Sequence, residues 1–588
     1  MRRRCFGFCI VLMLTTGSAD AAVCKLERYA ELPVTMAGTR PLVAGSINGV
    51  GAFFIADSGA FYSMLTREGA QSLKLRLQPL PSGLVVSGIG GAADARLASV
   101  GDFTLAGFGS RVFHNVQFVV VGNAFATEAA GLIGQNVLGH ADTEYDLANG
   151  FIRLFHTRDC AGQPLAYWSG SAAVAMVEIG YTSDWSPHLI GTAKLNGIRI
   201  RVVFDSGAAR SMLSLKTAAR AGVKPGDAEV LAGGLSSGIG RQLVETWLAR
   251  FDSLDIGGEE VKNARLRLAD IESPGGADML LGADFFLSHR IFVAASQHRI
   301  YFTYNGGHVF DLSVTDAPEP SAASGAGDAA QAPANAEGFR RRGAAFAARA
   351  DYRSAIADFD QAIRLEPGNS QNYDQRAVAR WRDHQTALAM SDFDASLTIK
   401  PDDIAAMMGR GALRLADNDE AGASADFDAV TRLAPGDASL GLRIAQSYVY
   451  SGHFAQAVQR FDRWIAQNPK DDRLPAALNG RCWSRAVMNQ GLDLALADCN
   501  AALRAGSRNS EFLASRAMVW LRLRQLDKSI ADYRTSLALQ PKSAGSLYGL
   551  GIAESSKGLK EQGDKDIQDA LRLSPSIAEQ FGQIGLTR

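Results

Sequence analysis

Two spacings of apolar residues divide the chain. In the first half, apolar residues gather in short runs rich in β-branched and aromatic side chains, such as 52–56 and 200–204. Runs of that kind predict strands buried on both faces. Segments 87–91 and 237–240 carry the glycines of hairpin tips. Phe151 to Phe155 and Arg299 to Phe302 predict further strands. From Phe339 to the end the apolar residues recur at helical spacing instead. Between the two regimes, residues 311–336 are rich in Pro, Ala, Ser, Gly and Asp and show no apolar periodicity, which predicts a flexible linker.

Each half also repeats itself. In the first, an offset of 148 carries Asn48-Gly49 onto Asn196-Gly197, Asp57-Ser58-Gly59-Ala60 onto Asp205-Ser206-Gly207-Ala208, and Ser63-Met64-Leu65 onto Ser211-Met212-Leu213. The same register takes Leu132-Ile133-Gly134 onto Leu280-Leu281-Gly282, so the segment is an internal duplication. In the second half the step is 34 residues. Pro367, Pro401, Pro435 and Pro469 keep it, as do Phe359, Phe393, Phe427 and Phe461, and Cys499, Tyr533 and Ile567 continue it after a four-residue insertion.

The duplicated strand ends carry candidate chemistry. An apolar strand enters Asp-Ser-Gly-Ala, and glycine permits the tight turn that projects the aspartate. Two carboxylates held close cannot both ionise easily, so they share one proton. The ionised member can take a proton from water while the protonated one polarises a peptide carbonyl. The sequence contains no HExxH, no G-x-S-x-G and no P-loop.

The ordered set of Asp-Ser-Gly-Ala, glycine-rich tip and apolar-apolar-Gly-x-[Asn/Asp] resembles the retropepsin-like aspartic proteases. It does so twice, over roughly residues 40–155 and 188–304. The resemblance implies a pseudo-dimer of two β-barrel lobes, with Asp57 and Asp205 as the catalytic pair and Ser58, Gly59, Ala60, Ser206, Gly207 and Ala208 as loop support. It implies two flaps, Gly88, Ile89 and Gly90 in one lobe and Gly238, Ile239 and Gly240 in the other. The late-glycine motif becomes Gly134 with Asn136 and Gly282 with Asp284, and Ser58 and Ser206 would brace the loops across the pseudo-twofold axis. One departure stands out. Where the retroviral pattern has Arg after the late glycine, this chain has Gln135 and Ala283, so an ion pair near the lobe interface is expected to be absent. Whether the aspartates pair within one chain or across a dimer stays open.

The 34-residue period and its residue types resemble tetratricopeptide repeats, about seven of them over residues 337–574 with a capping helix. The periodic phenylalanines then read as core packing, and proline ends each second helix. Such a solenoid offers a groove for a peptide or protein partner.

The N-terminus and the cysteines point to export. Met1-Arg2-Arg3-Arg4, the apolar run from Phe6 to Leu14 and Ala19-Asp20-Ala21 have the order of a signal peptide over residues 1–21. The apolar run is too short to span a bilayer, and no integral membrane segment is expected once the signal is removed. The mature chain would be periplasmic or secreted. It would keep Cys24 and Cys160, flanking the first lobe, and Cys482 and Cys499, on two helices of one repeat. An even count in an oxidising compartment suggests two disulfides, with four free thiols as the alternative.

Charge adds only exclusions. Sixty basic against sixty-one acidic residues give no electrostatic case for nucleic acid. No cysteine or histidine spacing implies a metal, and no cofactor is expected. His114, His140, His156, His188, His289 and His298 read as surface or packing residues. The expected organisation is a multidomain β plus α protein: lobe 1 over 22–160, a connection over 161–187, lobe 2 over 188–310, the linker over 311–336 and the solenoid over 337–588. Two functions fit it, an exported aspartic endopeptidase cutting a peptide or protein substrate, or a non-catalytic envelope scaffold.

Overall fold

The computed structural model describes residues 24–587 apart from 82–85, 123–128, 171, 181–188, 237, 240–243, 272–273, 311–332 and 507–508. The segment expected as an export signal, Gly240, His188 and most of the linker therefore lie outside the described residues. The first half folds as two β-barrel lobes of matching topology. In lobe 1, Val50–Ala56 runs parallel to Gly131–Ile133, which lies antiparallel to Met64–Thr66, itself parallel to Phe113–Val121. In lobe 2 the same order joins Ile198–Phe204, Met279–Leu281, Met212–Ser214 and Glu259–Ala269. The apolar runs are central strands, with Phe54, Ile55, Ala56, Val202, Val203 and Phe204 all buried. Each central strand delivers its aspartate at its carboxyl end.

A sheet shared by both lobes holds them together. Its order runs Ala175–Glu178, Arg299–Tyr304, His289–Ala294, Asp142–Asp146, Phe151–Arg158, Lys25–Ala37. At its centre Glu144 faces Phe292, its own counterpart in the duplication, so the pseudo-twofold axis passes between them. The segment expected as a plain connection contributes the outer strand Ala175–Glu178. The expectation of no ion pair at the lobe interface is corrected here. Fully buried Glu144 accepts from Arg153 Nη1 and from Arg290 Nε of the other lobe, each at 2.8 Å. The pairing of the two lobes' strands at the axis brings these charges together without the missing arginine of the late-glycine motif. A buried carboxylate needs such partners, because an unpaired one would be strongly destabilising. Cys24 and Cys160 form a disulfide that ties the ends of lobe 1.

Among the described residues the second half contains fifteen helices, seven antiparallel pairs from Ala336–Ala348 onward and a terminal helix Ile577–Gln583. The second helices of six pairs end at Leu365, Ile399, Leu433, Gln467, Leu539 and Leu573, each two residues before a proline. Phe359, Phe393, Phe427 and Phe461 are buried. Bare backbone faces these aromatics, with Gly343 against Phe359, Gly409 against Phe393 and Gly411 against Phe427, which lets neighbouring helices approach closely. A second period is electrostatic. Arg342, Arg376, Arg410, Arg481 and Arg516 each grip an aspartate of the next helix with two nitrogens, at 2.6–3.0 Å. Arg376, Arg410 and Arg481 reach back with a third nitrogen to Asp360, Asp394 and Asp462 of the preceding repeat. The bidentate pairs join the two helices of one repeat, and the third contacts link successive repeats into a ladder. Cys482 and Cys499 form the second disulfide, between the helices of one pair.

The solenoid touches both lobes. Its first helix packs on the strand Lys25–Ala37, with Arg341 at 4.8 Å over the Phe151 ring. Glu68 of lobe 1 accepts from the Ser439 hydroxyl at 2.9 Å, and Glu245 of lobe 2 accepts from the Ser510 N–H at 2.7 Å. Among the described residues no helix is long and apolar enough to cross a membrane.

One solenoid carboxyl makes stability depend on pH. Asp374 is buried with an oxygen that has no hydrogen-bond partner among the described residues, and burial first, then the charge of Asp403, pushes it up to about 7. The folded state holds this proton more tightly than the unfolded chain does, so the group costs stability as pH rises from about 4 through about 7. Asp374→Asn is expected to stabilise the protein by about 2–3 kcal/mol at pH 8 and to change little at pH 4. Thermal melts at both pH values check this, and an equal effect at the two would contradict it.

Candidate active site

The two Asp-Ser-Gly-Ala turns meet back to back. Asp57 Oδ1 accepts from the N–H groups of Gly59 and Ala60, each at 2.8 Å, and Asp205 Oδ1 accepts from those of Gly207 and Ala208, each at 3.0 Å. The serines cross over. Ser58 Oγ donates to Phe204 O at 2.9 Å and accepts from Ser206 N–H at 2.9 Å. Ser206 Oγ donates to Ala56 O at 2.8 Å and accepts from Ser58 N–H at 3.0 Å. Four bonds thus clamp the loops together with every participating group buried or nearly so, where an unmade bond would be expensive.

Both glycines are fixed by close approach. A Cβ on Gly59 would fall within the Asp205 carboxyl, and one on Gly207 within the Asp57 carboxyl. The carboxyls themselves are hydrogen-bonded to each other. Burial first, then the charge of Asp57 and that hydrogen bond, pushes Asp205 well above the usual carboxylate range, against the opposing N–H groups of Ala208 and Gly207. The pair therefore holds one shared proton over a wide pH range. The aspartates meet within one chain, which resolves the alternative that sequence left open for this structure.

The two hairpin tips expected as flaps meet each other. Gly90 N–H donates to Ile239 O at 2.9 Å, and Gly88 lies so close that a Cβ would sit 2.7 Å from the Ile239 side chain. The isoleucines cross as the serines do. Ile89 packs on lobe 2 against Ala208, Val203, Leu280 and Met212, and Ile239 packs with the lobe 1 cluster of Leu42, Ile55, Met64 and Leu132.

The late-glycine motif supports the loops from behind. Asn136 Oδ1 accepts from both the N–H and the hydroxyl of Ser63 at 2.8 Å, and Gly134 N–H donates to Ser63 Oγ at 3.1 Å. Asp284 accepts from Ser211 N–H at 2.8 Å and from its hydroxyl at 2.6 Å, and Gly282 N–H donates to Ser211 Oγ at 2.9 Å. Burial pushes the Asp284 carboxyl up, and the bonds from Ser211 and Phe285 N–H oppose this. Side chains at Gly134 or Gly282 would strike the backbone of Ala60 and Tyr62, or of Arg210. Ser63 and Ser211 were visible only as members of a repeated triplet, and their bracing role needed the fold. His289 is fully buried, stacked on Phe285 and 2.8 Å from Glu259. Among the described residues no group of three or more acidic, histidine or cysteine side chains is placed to hold a metal ion.

Truncating one cross-over hydroxyl tests the clamp. Ser206→Ala leaves Ala56 C=O and Ser58 N–H buried without this partner, at an expected cost of about 2–4 kcal/mol. Urea unfolding of the variant measures it, and a loss below about 0.5 kcal/mol would mean that the loops are held together by other means.

A family model described as aspartyl protease matches the chain twice, over residues 43–137 and 191–285, and these spans share the 148-residue offset of the duplication. Among the similar solved structures are tetratricopeptide repeat proteins. One is a tetratricopeptide repeat protein from Parabacteroides merdae, with 18% identity over 43% of this chain and 99% of that one and a TM-score of 0.36. Another is YrrB, a TPR protein with an unusual peptide-binding site, with 17% identity over 32% and 95% and a TM-score of 0.26. Yeast Tom70 shares 20% identity over 42% and 50%, with a TM-score of 0.29. No curated protein matches the chain.

Proposed function

For a chain that carries two aspartyl-protease-type domains in tandem ahead of a tetratricopeptide-type solenoid, we propose an exported aspartic endopeptidase whose helical array recruits its substrate or a partner protein. The observation that carries the reading is the pair of buried carboxyls, hydrogen-bonded to each other between two clamped loops. A water molecule between them would lose a proton to the ionised carboxylate and attack the peptide carbonyl carbon. The protonated carboxyl would hydrogen-bond the carbonyl oxygen as charge develops there. No covalent intermediate is needed. The substrate class that fits this reading is a peptide, on which the two hairpin tips, joined where Gly90 N–H donates to Ile239 O, would act as flaps.

Export is supported by the signal-like N-terminus and by the two disulfides, a pairing that persists in oxidising compartments. The expected mature protein begins at Ala22 and has no free thiol. N-terminal sequencing and thiol titration of the denatured, unreduced protein check both points, and reduced cysteines in freshly isolated material would place it elsewhere.

One observation favours the second reading, a non-catalytic binding scaffold. Ile89 and Ile239 occupy the apolar walls where substrate side chains would have to seat. Cleavage of a diverse peptide library between pH 3 and 7 separates the two. The protease reading expects turnover at acidic pH that declines as the shared proton is lost. It also expects Asp57→Asn and Asp205→Asn each to lower kcat/KM by about 10²–10⁴-fold or more. Wild-type turnover that survives both substitutions, or that is absent even after the flap contact is weakened by Ile89→Ala, would leave the scaffold.

A further inference from the structure

The two carboxyls are alike in the atoms that touch them and unlike in what stands behind. In lobe 1, Gln135 Nε2 donates to Ser58 O at 2.9 Å. That carbonyl belongs to the peptide unit whose N–H, on Gly59, donates to Asp57 at 2.8 Å. Tyr145 rises from the central strand Asp142–Asp146 beneath the loop and is 1% exposed. Its hydroxyl lies beside Gln135 and Ser58 and in the field of Asp57. A phenol held there stays a neutral hydrogen-bonding group, since burial first and the Asp57 charge second oppose its ionisation.

Lobe 2 has neither group. The positions equivalent at the 148-residue offset are Ala283 and Val293, a methyl and an isopropyl group. The N–H bonds to Asp205 are correspondingly longer, 3.0 Å against 2.8 Å for Asp57. The physical link is polarisation. A donor on a peptide carbonyl withdraws charge from that unit and makes its N–H a stronger donor. Stronger donation to a carboxylate favours its ionised form.

We propose that Gln135, with Tyr145 beside it, is a positioning residue that breaks the symmetry of the pair, making Asp57 the carboxylate that takes the proton from water and Asp205 the acid. This assignment rests on the endopeptidase reading. As the water oxygen bonds to the scissile carbon, its proton passes to Asp57 and the Asp205 proton passes to the carbonyl oxygen. When the C–N bond breaks, the nitrogen takes the proton from Asp57, and one hydroxyl of the diol returns a proton to Asp205. Peptide and water become acid and amine, and the pair regains its starting state.

The test is carboxyl ¹³C NMR of the full chain labelled at aspartate Cγ, which reads the pair whether or not any peptide is cut. Asp205 faces Asp57 from the other loop and Tyr145 from below, so those are the titratable groups the readout must separate. The pair's first-ionising resonance should vanish in Asp57→Asn. In Gln135→Ala it should shift upward by about half to one pH unit, and in Tyr145→Phe by less. The acid limb of kcat/KM should move by the same amount, with KM changed less than about twofold. If Gln135→Ala fails to fold, Gln135→Met, of similar length but without a donor, carries the comparison. Loss of that resonance in Asp205→Asn instead, or an unmoved titration in the folded Gln135 variants, would overturn the assignment. Absence of cleavage with the titration as described would count against the protease reading alone.

Discussion

Two serine hydroxyls reach across the axis between the lobes, and the rest of the first half is built to let them do so. Each hydroxyl donates to a carbonyl of the opposite central strand and accepts the N–H of its own counterpart. The loops can come that close only because Gly59 and Gly207 present bare backbone to the opposing carboxyl. Closeness then sets the electrostatics. Two carboxyls in one buried contact cannot both carry charge, so the proton bookkeeping of the site follows from the clamp. The late-glycine motif serves the same end one layer back, fixing Ser63 and Ser211 so that the strands leaving the loops cannot drift.

What the amino-acid sequence reveals of this arrangement depends on whether a residue was kept in both copies. Asp57 with Asp205, Ser58 with Ser206 and the glycines beside them solve one backbone problem twice, so a fixed offset exposes them. The charges of the shared sheet do not repeat. Glu144 faces Phe292, and the positions equivalent to Arg153 and Arg290 are Tyr301 and Asp142. An interaction that crosses the axis with one member from each copy has no signature at the 148-residue offset. Reasoning from the late-glycine motif alone therefore predicted no interface ion pair, whereas the sheet supplies one from elsewhere. Tyr145 was hidden for the same reason, since its counterpart is Val293.

The helical half shows the same contrast. Prolines, phenylalanines and runs such as Ala357-Asp358-Phe359-Asp360 and Ala425-Asp426-Phe427-Asp428 announce the period, because they recur at one place in the repeat. The arginines that bind those aspartates sit a helix away, and their ladder becomes legible only when the helices are paired. Its interruption is instructive. Where the register calls for an arginine after Arg410, the chain has Ile444, and where it calls for the aspartate that arginine would grip, it has Arg460, which pairs instead with Asp428 of the preceding repeat at 2.9 Å. The ladder bends around a gap without losing the charge balance that lets Asp358, Asp392, Asp426 and Asp498 be buried.

The contacts between the halves bear on how the site can open. Glu245 begins the strand Val244–Ile256, the arm that leaves the lobe 2 flap, and its carboxylate accepts from the Ser510 N–H at the start of the helix Ser510–Arg522. A carboxylate at a helix N-terminus satisfies donors that the helix itself leaves unpaired. Lys542 of the next repeat donates to Asp227 O at 2.9 Å, on the segment that leads into the same hairpin. The tip of that hairpin holds Ile239 against lobe 1, while Glu245 close to the tip and Asp227 before its first strand are fastened to the solenoid. Lifting the flap, as the proposed cleavage would require, therefore acts on two packed surfaces at once, the apolar cluster of lobe 1 and the helix ends of the repeats. The helical array is in this sense part of the mechanical frame of the cleft as well as a neighbour to it.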